Sequence, residues 1–276
     1  MSLFIASLNS GSNGNCYYIG NEREAILVDA GISCRETEKR MKRLDLSMQK
    51  VKAIFVSHEH SDHISGVAVL SKKYGLPVYI TPGTLQNCGL SLDEQMALSF
   101  MAYEAVQIGE LSVLAFPKFH DAAHPHSFIV ECRGVKVGVL TDIGAACEHV
   151  TNNFVQCNAA FLEANYDEEM LDKGRYPYYL KKRIRGGHGH LSNGQALEIF
   201  INHRPACMSH LLLSHLSKDN NNPGLVHELF SQHANGTEII VASRYEETQV
   251  YYINGLPASA EQPVSILAGQ MQFSLF

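Results

Sequence analysis

Short apolar runs alternate with amphipathic stretches along most of this chain. Near its start, "LFIASL", "CYYIG" and "EAILVDAG" read as strands, and the turn-rich "NSGSNGN" joins the first two. Ser33 and Glu36 have the spacing of a capping box, and the run behind them predicts a helix to about Leu44. "KAIFVS" predicts a buried strand. From Asp62 to Tyr74 the pattern predicts one helix, stopped by Gly75 and Pro77. "LPVYITP", "LSVLAFPKF", "HSFIVEC", "VKVGVLTDIG" and "NAAFLEANYD" follow as strands. A second capping box, Ser192 with Gln195, opens a helix to about His203. "CMSHLLLSHLS" then reads as a buried strand, and Asn222 with Pro223 starts a helix to about His233. "TEIIVAS" and "TQVYYI" close the pattern. Strands in two batches, each flanked by helices, predict a layered α/β architecture, with the arrangement of the sheets left open. No fixed-period repeat, linker or low-complexity block precedes residue 257, so one domain is expected over 1–256, with 257–276 as a tail.

Composition narrows the classes. With 45% apolar residues in 276, the chain can bury a sizeable core. Its net charge of −6 argues against general electrostatic binding of nucleic acid, so any phosphate binding must be local. Seven cysteines, odd in number and without a C-x-x-C, point to reduced thiols and the cytoplasm. Residues 1–8 lack the basic start of a signal peptide, and no run of about 18 apolar residues predicts a membrane span.

The 14 histidines change the picture most, because three of them crowd "SHEHSDH", residues 57–63, directly behind a strand. His58 and His60 lie two apart and project to one side of extended backbone. Asp62 and His63 follow where a helix should start. Imidazole with carboxylate suits Zn²⁺, Mn²⁺ or Fe rather than a thiolate site. The setting recurs: His120, Asp142 and His215 each stand just past an apolar strand, where a rigid scaffold can aim ligands. His124 and His126 compete with His120 for its place; His120 is favoured because it directly follows the strand.

"HEHSDH" followed in order by His120, Asp142 and His215 resembles the metallo-β-lactamase superfamily. The resemblance implies a four-layer αββα sandwich with two divalent cations at one edge of its sheets. It assigns His58, His60 and His120 to one ion and Asp62, His63 and His215 to the second, with Asp142 bridging. His60 stands where the di-iron oxygen-reducing branch has a glutamate, which favours hydrolysis. Asp29, in "LVDAG", matches the family's first motif and is expected to brace the histidine loop.

Two such ions can activate water and clamp both oxygens of a displacement, for phosphodiesters, esters, thioesters or lactams alike. In phosphodiesterase branches of the superfamily, an acid and a later histidine form a pair outside the metal shell. Glu163, in "FLEANYD", and His190, in "GGHGHLSN", fit that pair, with His188 a weaker alternative for the histidine. An alkoxide leaves poorly, so a general acid is useful there. Asp62, Glu163 and His190 are therefore the expected catalytic residues.

"SGSNGNCYYIG", "DAGISCRETEKR", "YPYYLKKRIRGGHGHLSN" and "LSHLSKDNNNP" resemble, more narrowly, the bacterial WalJ/YycJ-type subgroup. Its members are regarded as phosphodiesterases, with exonuclease action on DNA proposed. The expected function is thus a DNA exonuclease of repair or replication. A hydrolase of small cyclic phosphodiesters, a thioesterase or lactamase, and a non-catalytic adaptor are the rivals. Ser12, Asn13 and Asn15 can lend donors to a phosphate. Lys181, Lys182, Arg183 and Arg185 can follow a DNA backbone, and Tyr176, Tyr178 and Tyr179 can stack on bases or pack in the core. At the end, Gln272, Phe273, Leu275 and Phe276 resemble the peptide that binds the bacterial sliding clamp.

Overall fold

The computed structural model describes residues 2–255. Among them, two seven-stranded sheets form the centre. The first holds β1 (Leu3–Asn9), β2 (Cys16–Gly20), β3 (Ala25–Val28), β4 (Val51–Phe55), β5 (Val78–Tyr79) and β6 (Ala97–Leu98). The second holds β7 (Ala105–Ile108), β8 (Leu111–Pro117), β9 (His126–Cys132), β10 (Val135–Leu140), β11 (Ala159–Glu163), β12 (His210–Ser214) and β13 (Glu238–Val241). β14 (Tyr251–Ile253) returns to the first sheet beside β1. Each sheet is antiparallel in one half and parallel in the other: β3 to β6 run parallel, and so do β10 to β13.

The period of two sorts the core. In β4, Ala53 and Phe55 face the other sheet, while Ile54 and the following Val56 face helices. In β11, Ala159 and Phe161 lie between the sheets and Ala160 and Leu162 lie outside. Strands covered on both faces read as unbroken apolar runs, which is how these two appear in the sequence.

Nine α-helices are found among the described residues: α1 (Cys34–Arg43), α2 (Ser61–Ile64), α3 (Val67–Tyr74), α4 (Pro82–Asn87), α5 (Glu148–Phe154), α6 (Glu168–Lys173), α7 (Tyr178–Arg185), α8 (Asn193–His203) and α9 (Pro223–Ser231). Met41 of α1 and Val67 and Leu70 of α3 pack on the outside of the first sheet. Phe154 of α5, Phe200 of α8 and Phe230 of α9 do the same on the second. The layers are therefore αββα, as the resemblance implies. None of these helices is long and apolar enough to cross a membrane.

Two local expectations need correction. The single helix expected from Asp62 to Tyr74 is two, α2 and α3, broken at Gly66. The Gly66 amide bonds the Ala30 carbonyl at 2.7 Å, and a Cβ there would meet the Ile32 carbonyl oxygen at 2.1 Å. The chain is thus pinned to the loop after β3 and cannot run on as one helix. The capping box at Ser33 is only half made: Ser33 accepts from the Glu36 amide, but Glu36 turns to Arg40 at 2.9 Å. The box at Ser192 has both bonds. The tail expected over 257–276 lies outside the described residues.

Candidate metal centre

Six loops deliver the site, each leaving the same edge of a sheet. Asp29 follows β3, His58, His60, Asp62 and His63 follow β4, and His120 follows β8. Asp142, Glu163 and His215 come at the ends of β10, β11 and β12. Asp29, Asp142 and His215 adopt φ of 59°, 55° and 58°, a left-handed conformation uncommon outside glycine. Each turns its strand sharply, so that the side chain stays at the sheet edge.

The donor atoms fall into overlapping sets. One is His58, His60 and His120; another is Asp62, His63 and His215; Asp142 joins His58 and His63, and in a further set it joins Glu163, His190 and His215. His58 Nε2 lies 3.0 Å and His120 Nε2 3.4 Å from His60 Nδ1. Asp62 Oδ2 is 3.5 Å from both His63 Nε2 and His215 Nε2, and Asp142 Oδ2 is 3.2 Å from His63 Nε2. Donors about 2.0–2.2 Å from one tetrahedral cation stand roughly 3.3–3.6 Å apart, so these spacings fit a shared ion. Asp142 Oδ2 and His215 Nε2 are buried without a hydrogen-bond partner, although such groups rarely go unpaired. The donor set therefore fits divalent metal ions.

Behind it, Asp29 takes His63 Nδ1 at 2.7 Å and both the amide and hydroxyl of Ser57 at 2.8 Å. The Ser57 hydroxyl in turn lies 2.9 Å from His58 Nδ1. Glu163 is fully buried and completely used. Its Oε1 meets His190 Nδ1 at 2.8 Å and His215 Nδ1 at 2.9 Å, and its Oε2 accepts the amides of Ile143 and Leu191. Burial alone would raise its pKa; His190 and His215 outweigh that and hold it at about 2. Burial likewise opposes charge on His215, yet Asp142, Asp62 and Glu163 push it up to about 10. Burial brings His120 down to about 4 and holds His58 well below the ordinary imidazole value. Protons held at His63 and His215 by acids are the protons a cation would displace.

A profile described as the metallo-beta-lactamase superfamily matches residues 10–188. The chain belongs to this superfamily. It is 35% identical over 235 residues to exodeoxyribonuclease YycJ of Bacillus anthracis, covering 84% of this chain and 89% of that protein. Exodeoxyribonuclease WalJ of Streptococcus pneumoniae is 32% identical over 225 residues, 80% of this chain and 84% of the relative. The metallo-beta-lactamase fold protein YhfI of Bacillus subtilis superposes with a TM-score of 0.69 at 15% identity, covering 91% of this chain and all of that one. That last likeness speaks for the fold alone.

In this member of the superfamily the centre opens into a cavity of about 380 Å³. His60, Asp62, His120, Asp142, His190 and His215 line it. His188 is exposed and lies against Phe119, away from Glu163. His126 is buried against Phe100, and His124 belongs to none of the donor sets. Asn15 is turned inward, its amide 3.1 Å from His63 Nε2 and 3.2 Å from Asp62 Oδ2, so it steadies the histidine loop and is spent for phosphate. Ser12 and Asn13 remain exposed. On α7 no residue is buried; Arg183 pairs with Asp121 and Arg185 with Asp172, while Lys181 donates to the Asp172 carbonyl, leaving Lys182 exposed. Tyr178 and Tyr179 are exposed rather than core, and Tyr176 lines the cavity.

Sequence reading missed three contributors. Asn165 donates to the His215 carbonyl at 2.7 Å, Asp121 lines the cavity, and the buried Lys118 donates to the Thr141 carbonyl at 2.7 Å. Asn165 and Asp121 sit beside Glu163 and His120 in stretches that drew notice for those neighbours alone, and Lys118 is a single cation at the end of an apolar strand.

Proposed function

We propose that this chain is a divalent-metal-dependent phosphodiesterase that degrades DNA exonucleolytically in repair or replication. The observation carrying the reading is an imidazole at the donor cluster whose Nδ1 is already taken by a buried acid. His190 is held at Nδ1 by Glu163, and it faces the same cavity as His60, Asp62, His120, Asp142 and His215. The names of the two exodeoxyribonuclease relatives, matched over most of the chain, support DNA as the polymer.

In this reading His58, His60 and His120 would hold one cation, Asp62, His63 and His215 would hold the other, and Asp142 would serve both. Zinc, manganese and iron all suit such nitrogen and oxygen donors. When bound, the pair supplies an activated water and stabilises charge on the phosphoryl oxygens. Asp29 and Glu163 hold His63 and His215 at Nδ1, which keeps Nε2 turned to the centre. His190 keeps Nε2 free of protein partners among the described residues, so it can protonate the leaving alkoxide or bind the phosphate. Ser12, Asn13, Lys182 and the tyrosines of α7 stand outside to receive the strand. The unpaired state of all seven cysteines supports a cytoplasmic setting. Recruitment to a sliding clamp through Gln272, Phe273, Leu275 and Phe276 rests on sequence alone.

The test is incubation of end-labelled single- and double-stranded DNA, and of a small cyclic phosphodiester, with the protein loaded with each metal. Progressive shortening of DNA from one end is expected. Turnover of the cyclic compound with DNA left whole would replace this reading with its small-molecule rival.

A further inference from the structure

A second cavity, of about 530 Å³, adjoins the metal centre. Ser217 lines both, and Ser12, on the wall of the first, accepts from Arg244 Nη2 at 3.3 Å on the wall of the second. The second cavity carries two cationic side chains, Arg244 and Lys218, and neither makes an ion pair among the described residues, although Glu246 lies on the same wall. Arg244 Nη1 is buried and has no hydrogen-bond partner. A guanidinium normally spends its donors, so a buried free one is unusual. The Arg244 backbone is fixed from below: its carbonyl accepts from Asn13 at 2.9 Å, and the neighbouring Ser243 carbonyl accepts from the Ser10 amide at 3.1 Å. Gly11 makes room for it, since a Cβ at that residue would stand 3.3 Å from Arg244 Cβ. Tyr245, beside it, is 70% exposed.

We propose that this cavity binds a non-reacting phosphate of the same strand, one nucleotide from the bond being cut, and that Arg244 thereby selects a polynucleotide over a small phosphodiester. The proposal rests on the reading of the metal centre as a phosphodiesterase. A ligand with a second phosphate can occupy both cavities at once. The planar fork of Arg244 matches a phosphate, Lys218 adds a point charge, and the exposed Tyr245 ring offers a face for a base. In a chain of net charge −6, this gives local attraction where the overall field gives none.

The experiment has two readouts on the full chain. Binding of a fluorescent single-stranded oligodeoxynucleotide is followed against salt for wild type, Arg244→Ala and Lys218→Ala. Lys218 is exposed, so its variant keeps the fold even if loss of Arg244 disturbs the Ser12 loop. Each variant should bind about tenfold more weakly at low salt, and its plot of log K against log salt should flatten by about 0.7, one phosphate contact. The ratio of kcat/KM for the oligonucleotide to that for bis(p-nitrophenyl) phosphate should fall by about tenfold. If wild type degrades the oligonucleotide while slope and ratio stay unmoved in both variants, this inference fails and the phosphodiesterase reading stands. If wild type neither binds nor degrades it, both fail together.

Discussion

Glu163 holds two imidazoles with one oxygen, and this separates two roles that one substitution each can test. In the proposed reading, His190→Ala removes only the group that meets the leaving oxygen. Metal content should stay at the wild-type level while turnover drops by about 10²-fold or more, the scale of general acid help. Glu163→Gln disturbs His215 as well, because its Oε1 lies 2.9 Å from His215 Nδ1. That variant should lose metal affinity by about 10–100-fold along with activity, as titration with a chromogenic chelator would record. A metal-depleted His190→Ala protein would instead place His190 in the coordination shell. Most of the cluster was legible at this scale, since "HEHSDH" and the residues past each strand carry their chemistry openly. The double grip of Glu163 was not, because its partners lie 27 and 52 positions away and only the parallel pairing of β11 with β12 brings His215 near.

At the scale of elements, the histidine loop is held by backbone clasps that sequence pattern does not reveal. The Asn15 amide bonds the Asp62 carbonyl at 2.7 Å, the Gly31 amide bonds the Asn15 carbonyl at 2.8 Å, and the Ala30 amide bonds the His63 carbonyl at 2.9 Å. A Cβ on Gly31 would fall 1.7 Å from the Asp62 carbonyl oxygen, so backbone must move if one is added. Gly31→Ala should therefore cost about 1–3 kcal/mol in denaturant unfolding and weaken metal binding with it. Unchanged stability and affinity would show the clasp to be slack. The same crowding at Gly66 divides α2 from α3, a break that helical periodicity alone passes over. Strand positions were readable because buried central strands show unbroken apolar runs. The short β5, β6 and β7 were read only in part or missed, being two, two and four residues long.

For the whole molecule, acid sensitivity should have a component outside the metal centre. His126 joins the second sheet to Ser57 through its amide, and burial brings its imidazole down to about 4 from the ordinary 6.5. With the folded value depressed, the unfolded chain binds the extra proton between those limits. Its stabilising contribution is complete above about 6.5 and fades as pH falls toward 4. The difference in unfolding free energy between metal-free wild type and His126→Gln should accordingly rise with pH across that window. A difference independent of pH would mean that His126 binds its proton equally well in the folded and unfolded chain. Truncation at residue 256 offers a separate test of recruitment: binding to a bacterial sliding clamp should disappear while the rate on free DNA persists. Equal clamp binding by both proteins would remove Gln272–Phe276 from the account.

Seven side chains between His58 and His215 either grip a pair of cations or merely crowd together. Native mass spectrometry of the protein after manganese or zinc loading decides between these most directly. Two ions per chain are predicted for wild type and at most one for Asp142→Asn. A wild-type chain that retains none, or an Asp142→Asn chain that keeps two, would contradict the dinuclear centre.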